Sequence, residues 1–499
     1  MKKNSLTTAI IAGVAGVAGL VGVAGAVNLN PDGLGQVLLY PYYTVNGGNS
    51  THIAVVNTTD RVKAVKVRFL ESVNSAEVLD FNLYLSPYDV WGAEIQADGT
   101  SGASLHINDT SCTVPKISNG QPFVDYEFAY NTPDVLASLG LARTRQGHVE
   151  IIEMGNVTGS LAAAATHTSG GTPANCNALV SAWDGGAWFA DPNASIETPN
   201  GGLFGSAVIV SGEWGRTLSY NADAIDGFFT VAGQNLHFSP GDVNPTLAQA
   251  NNGVGVATAR VFSNGALYQI DYTATRVDAV SAVLASRYIY NEFFISPALA
   301  ASSEWVVTFP TKRQHIHTGS ASYPLPFTAP LTRSGSCHAY DIRYWDREER
   351  TTTTRLIPSP PPPVSGFGLC YEANVVAFGQ ELGASTPTNI LAATPALGAM
   401  GLTPFAFNEG WARIEFDDPN VAGFQYWLPA PLGGDQALIG QPVSGFWASE
   451  LVNTDVGEGV RINYGVVHKH RHSRDCRVNP TVGGTSGSIS SAALACPSL

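Results

Sequence analysis

The residues whose types and spacing could do chemistry begin with the histidines. His468, His470 and His472 alternate with Lys469 and Arg471, so on one continuous strand all three imidazoles would project from a single face. His315 and His317 repeat the spacing, and paired imidazoles of this kind supply nitrogen ligands to transition metals. No cysteine or carboxylate stands at a spacing that would complete either set. A basic alternating segment beside Arg474 and Arg477 also reads as a solvated, charged strand edge that blocks edge-to-edge pairing. Metal binding is left open for both clusters, and no metal ligand is assigned.

Carboxylates offer two further candidates. Asp223 and Asp226, in the run Asn-Ala-Asp-Ala-Ile-Asp, and the neighbouring pair Asp417 and Asp418 could supply oxygen ligands to calcium, although no EF-hand loop or Gly-Asp repeat accompanies them. Asp and Asn are also the ordinary residues of turns, so calcium stays a weak candidate and no cofactor is assigned. Asp346, Glu348 and Glu349 stand among Arg343, Arg347 and Arg350, which predicts a surface ion-pair patch rather than an acid/base pair.

Nucleophilic chemistry finds no support. The chain lacks a GxSxG elbow, a Cys/His signature, an HExxH helix and a phosphate loop; Gly253-Val-Gly255 is too short a match to the dinucleotide fingerprint. No catalytic or cofactor-binding residue is assigned, and the expectation is a protein that is not an enzyme. Nine tryptophans, Trp91, Trp183, Trp188, Trp214, Trp305, Trp345, Trp411, Trp427 and Trp447, supply mostly core area, with any exposed ones free to stack on sugar rings.

Six cysteines remain: Cys112, Cys176, Cys337, Cys370, Cys476 and Cys496. None stands in a CxxC pair, so zinc-ribbon, thioredoxin-type and haem sites are unsupported. An even count in an exported chain implies disulfides, of which the simplest set pairs the cysteines in sequence order.

Export is read from the first 26 residues. Lys2 and Lys3 precede an uncharged apolar run from Ala9 to Val23, and Ala24-Gly25-Ala26 offers the small-x-small site of a signal peptidase. The apolar run is short for a membrane span, so no transmembrane segment is expected after cleavage. Removing 26 of 499 residues leaves 473, enough for two or three domains. Losing both lysines from 26 basic residues leaves 24 against 40 acidic ones, a formal charge of −16. Nucleic acid and anionic membranes, which demand a basic face, are poor partners for such a chain, and no nucleic acid is expected.

These candidates must be positioned by strands. Gln36–Val45, Thr51–Asn57, Val62–Leu70, Val78–Leu85 and Tyr88–Ile95 are short apolar or alternating runs separated by Asn, Asp, Gly and Pro turns, as a β-sandwich requires. Strict alternation in Val65-Lys66-Val67-Arg68-Phe69 predicts one wet and one dry face, and Pro41 predicts an edge position for the first strand. Gly255–Phe262, Ala266–Tyr272, Trp305–Phe309, Ala412–Phe416, Ala422–Leu428 and Gly459–Val467 repeat this grammar. Asp134–Ala142 is a helix candidate behind Thr132-Pro133, and Val280–Phe294 fits helix or strand. Ser359–Val364 is a polyproline run expected to stay outside any sheet. The fold class is therefore all-β, with two, or three, Ig-like sandwiches and short helices in connections: residues 1–26 a leader, 27–235 a first sandwich, 250–475 a second, and 476–499 a tail.

The pattern YPYYT…IAVVNTT…AVKVRF…LDFNLYLSPYDVW, together with GSAVIVSGEWGRTLSYNADAI from Gly205 and EWVVTFPTKR from Glu304, resembles exported, functionally uncharacterised proteins of Gram-negative bacteria with Ig-like sandwich domains. The resemblance implies a surface location and supplies no catalytic residues. The combined expectation is a non-enzymatic envelope or cell-surface protein, extracellular or periplasmic, with a structural, assembly or adhesion role. Its partners would be its own copies through the first strand, other envelope proteins, or glycans. The alternative is a carbohydrate-binding or glycan-active protein of the same compartment, because two glycosidase carboxylates meet in space and leave no local motif.

Overall fold

The computed structural model describes residues 25–478, apart from 100, 130–135, 252–255, 264, 273–275, 318–325, 328, 330–334, 352–357, 360–366, 404, 417–426, 430–435 and 454–461. With 48% of the described residues in strands and 15% in helices, the structure is a β protein built of several antiparallel sheets. Among the described strands, Ala373–Phe378 and Ala399–Leu402 pair in parallel, and an isolated parallel bridge joins Val27 to Ala259.

Residues 28–226 form two facing sheets. The larger runs Asn28–Leu29, Asp223–Asp226, Val37–Thr44, Gln146–Val157, Val62–Glu71, Glu77–Leu85, Cys112–Val114; the smaller runs Arg216–Asn221, Leu203–Ser211, Asn49–Asn57, Val90–Asp98, Gly102–His106, Gln121–Pro122. Alternate residues of both meet in one core, with Val65, Val67, Phe69, Val149 and Ile151 facing Ile53, Val55, Trp91, Ile95 and Ile209.

The single dry face expected of Val65–Phe69 is corrected: the whole Val62–Glu71 strand is buried. Its charges survive burial because each is paired. Lys63 Nζ reaches Glu153 at 2.6 Å, Arg68 holds Glu77 at 2.8 Å and Glu150 at 2.6 Å, and Lys66 meets Asp80. The polar stretch after residue 233 supplies the cover, as Lys66 Nζ donates to the carbonyls of Pro240 at 3.0 Å and Asp242 at 2.7 Å. Helices Gly159–Ala165 and Cys176–Trp183, the Ala257–Ser263/Ala266–Tyr272 hairpin and helix Val277–Leu284 pack over the rest of that outer face.

The first strand is also corrected. Val37–Thr44 is fully buried; its first three residues lie inside the sheet, between Gln146–Val157 and Asp223–Asp226, and the rest pairs with Gln146–Val157 alone. Pro41 is tolerated there because the register slips between Gly147 and Val149, a bulge that excuses its missing N–H.

Two more sheets follow. One runs Phe367–Leu369, His338–Trp345, Glu409–Glu415, Tyr288–Phe294, Arg471–Ser473; the other Pro358–Ser359, Ala399–Leu402, Ala373–Phe378, Ala301–Thr308, Ser444–Asn453, Ile462–Lys469. Trp305, Val307, Phe378 and Trp447 pack inward against Ile289, Phe293, Tyr344 and Ile414. The reverse face of the second sheet, with Val306, Val375 and Phe446, joins the core of the first sandwich, where Tyr220 stacks on Phe446 at 4.8 Å. The two halves thus share buried apolar surface.

The ambiguous Val280–Phe294 segment is both things in turn: helix Val277–Leu284, then strand Tyr288–Phe294. Ala137–Arg145 is a 3-10 helix broken at Gly140. Ser359 does enter a sheet, opposite Gly401; the proline run after it lies outside the described residues. Asp475–Val478 is a strand paired with Gln436–Ile439, so residues 476–478 do not belong to the expected tail, and 479–499 lie outside the described residues. Among the described residues no helix is long and apolar enough to cross a membrane.

Candidate binding groove

The histidine cluster does not share a face. Its strand ends at Lys469, His470 is buried, and the chain re-enters the opposite sheet at Arg471–Ser473. His468 stacks on Trp447 at 5.6 Å. His470 Nε2 meets the Val306 carbonyl at 2.8 Å and Nδ1 the Asn291 amide at 3.1 Å, while His472 Nδ1 meets Ser286 Oγ at 2.8 Å. Burial pushes His470 down to about 4 and His472 to about 3, so both are neutral hydrogen-bonding groups. His315 is likewise buried, bonded to Ser281 Oγ at 2.8 Å and pushed down to about 3; the His317 side chain lies outside the described residues. Among the described residues no three His, Cys, Asp or Glu side chains gather to hold a metal ion.

Two cysteine pairs form in sequence order, Cys112–Cys176 and Cys337–Cys370. The Cys476 side chain and Cys496 lie outside the described residues. Asp223 is taken by Lys469 Nζ at 2.6 Å and by Ser444. Asp226 accepts the Asn28 amide on its backbone carbonyl at 3.3 Å, and Asp417 and Asp418 lie outside the described residues.

One serine, histidine and aspartate do meet, and their geometry argues against catalysis. Ser86 Oγ contacts His167 Nδ1, and Asp89 Oδ2 lies 3.6 Å from that same nitrogen. A relay needs nucleophile and orienting carboxylate on opposite ring nitrogens; here Nε2 turns to Thr110 Oγ1 at 3.2 Å.

A different site emerges on the outer face of the Tyr288–Phe294 sheet. Register places Trp345 opposite Trp411, Trp411 opposite Glu292, and Arg413 opposite Tyr290. Period two then sends Tyr288, Tyr290, Glu292, Trp411, Arg413, Arg343 and Trp345 outward while Ile289, Phe293, Ala412 and Ile414 turn into the core. Trp345 and Trp411 stack at 4.1 Å and 12°, Tyr290 stands 6.2 Å beyond, and Arg413 covers Tyr288 at 4.7 Å. Trp411 is 39% exposed, unlike Trp91, Trp188 and Trp305, which the core claims.

Among the described residues the Arg471–Ser473 strand pairs with residues 288–290 alone. From Asn291 onward that edge opens on a groove of about 530 Å³, floored by Trp447, Ser449, Leu451 and Val466 and walled by Glu292, Glu409 and Trp411. A recess of about 320 Å³, sharing Glu292 and Trp411, continues toward His468 and Arg471.

Most charges around it are already matched, as the ion-pair patch read from sequence anticipates. Arg347 holds Glu409 at 2.9 Å, Arg343 and Arg413 hold Glu415 at 3.1 and 2.6 Å, and Arg350 holds Asp346 at 2.6 Å. Desolvation works against the Asp346 charge, but the backbone N–H groups of Arg350 and Glu348 and the Arg350 guanidinium outweigh it and hold the carboxyl below its usual range. A carboxylate so held is a poor general acid. Stacking surface, hydrogen-bonding rim and an open groove equip this face for binding.

No protein-family model, curated protein or solved structure matches the chain.

Proposed function

We propose that this chain is a non-enzymatic exported protein of the envelope or cell surface, built on Ig-like sandwiches, that adheres to glycans through its second sandwich. The leader motif and the two disulfides support the exported half of this reading. The observation that carries the glycan half is the Trp345–Trp411 stack beside an open groove. Pyranose rings present flat C–H faces that pack on indoles, while carboxylates and amides at the rim accept and donate to their hydroxyls. Presenting the mature protein to a glycan array and to insoluble polysaccharides tests the reading. Selective retention is expected, and Trp411→Ala should weaken it at least tenfold, as loss of a central aromatic anchor does. Absence of any glycan binding, or an unaffected Trp411→Ala variant, overturns it.

A further inference from the structure

Resting on the glycan reading, the geometry points to an anionic sugar chain as the ligand, its carboxylate or sulfate bound by Arg471 in the recess beside Trp411.

Most cations on this face are already committed to carboxylates. Arg343 and Arg413 share Glu415, Arg347 takes Glu409, and Arg350 takes Asp346 and Glu348. Lys469, in the recess itself, is committed to Asp223 and to the Ala222 carbonyl at 3.1 Å. Arg471 differs: it is exposed, and among the described residues its side chain forms no ion pair. Its strand register sets it opposite Tyr290, so its guanidinium shares the recess with Tyr290, Asn291, Trp411 and His468. A planar fork of donors beside an aromatic wall suits a carboxylate or sulfate carried on a ring that stacks on that wall.

The chain as a whole carries −14, so its long-range field repels anions. Attraction at Arg471 is therefore local, and selects where on the ligand the charge must lie. Glu292, on the wall between recess and groove, is exposed and makes no side-chain hydrogen bond or ion pair among the described residues. It can accept from sugar hydroxyls, and it rejects a second negative charge placed one sugar further along. The ligand class is thus a chain whose charged sugars are separated by neutral ones.

Titration calorimetry at low salt tests this with hexasaccharides: hyaluronan, which alternates charged and neutral sugars; oligogalacturonate, charged at every sugar; and a carrageenan oligomer, which carries sulfate. Each uronate oligomer is paired with its carboxyl-reduced neutral counterpart. An alternating acidic oligomer should bind about tenfold more tightly than its neutral form, and Arg471→Gln should erase that difference while leaving the unfolding midpoint unchanged. Glu292→Gln should narrow the gap between hyaluronan and oligogalacturonate. Preference for carrageenan assigns sulfate as the bound group, and preference for hyaluronan assigns carboxylate. Equal binding of acidic and neutral forms, or an acidic preference that survives Arg471→Gln, overturns the assignment while the Trp411-dependent glycan reading stands. Failure of every glycan, charged or neutral, overturns both.

Discussion

Replacing Arg216 by Met should uncouple the two halves of the molecule. Arg216 stands in the first sandwich, and its Nη1 meets Glu450 Oε2 of the second at 2.6 Å, with the side chains only 2% and 3% exposed. The same guanidinium donates to Asn49 Oδ1 at 3.1 Å and to the carbonyls of Asn389, at 3.3 Å, and Ile390. Methionine fills much of the volume but leaves Glu450 buried with, among the described residues, only the Asn463 amide, at 2.8 Å, to support its charge. Removing one partner of a buried pair costs about 3–5 kcal/mol, most of it the uncompensated charge. Adding Glu450→Leu should therefore return most of that loss, giving a coupling of roughly 3 kcal/mol in a double-mutant cycle. Guanidinium unfolding followed by tryptophan fluorescence and far-ultraviolet circular dichroism reads this, and the two probes should separate in the single variant as the halves cease to melt together. A single-variant cost below about 1 kcal/mol, or strictly additive effects, would show that Glu450 is solvated or held by other groups and would refute the reasoning.

Burial lifts the fully enclosed Glu372 to about 8, an effect Lys312 only partly opposes. A carboxyl raised from its ordinary 4.5 stabilises the fold fully below that value and loses the contribution as pH rises through 8, so between pH 5 and 7 the urea midpoint should fall less steeply in Glu372→Gln than in the parent; equal slopes would contradict this. Lys312, pushed down to about 7 by burial, acts oppositely: its contribution is lost as pH falls from 10.5 through 7, and Lys312→Met should remove that dependence in melts between pH 7 and 10. Breaking Cys337–Cys370, 33 residues apart, by Ala substitution at both positions should cost roughly 3–4 kcal/mol in the loop-entropy model, measured by denaturant unfolding. Deleting residues 28–45 should unfold the first sandwich by circular dichroism, because the Val37–Thr44 strand is fully buried and its first three residues lie inside its sheet; a folded, merely monomeric product would contradict that placement.

Much of the β architecture was legible because alternation is local. Val65–Phe69 and Trp411-Ala-Arg-Ile-Glu415 each declare two faces within five residues. Which face stays wet is a tertiary fact: Lys66 and Arg68 look like solvated positions until the Pro240–Asp242 backbone and three carboxylates close over them. Pro41 misleads for the same reason, since an edge and a bulge are alike in the sequence and differ only in the partner strand. The histidine alternation assumes one uninterrupted strand, whereas the chain changes sheets at His470. For the aromatic outer face, Trp345 and Trp411 could be picked out as aromatic, but their stacking depends on cross-strand register over more than sixty residues of chain, for which a single sequence holds no signal.

The placement of Val37–Thr44 also fixes the order in which this protein can fold. It is among the first strands to be synthesised, yet its neighbours are Gln146–Val157, about a hundred residues later, and Asp223–Asp226. Its far end also touches the second half, where Thr308 Oγ1 donates to the Pro41 carbonyl at 2.6 Å. Every pairing it makes is non-local, so closure entropy precedes any reward and folding of this sheet is slow. Until residue 225 has appeared, Val37-Leu38-Leu39 has no partner strand on its second side, and the apolar run through Tyr43, broken only by Pro41, stays open to pairing with another copy.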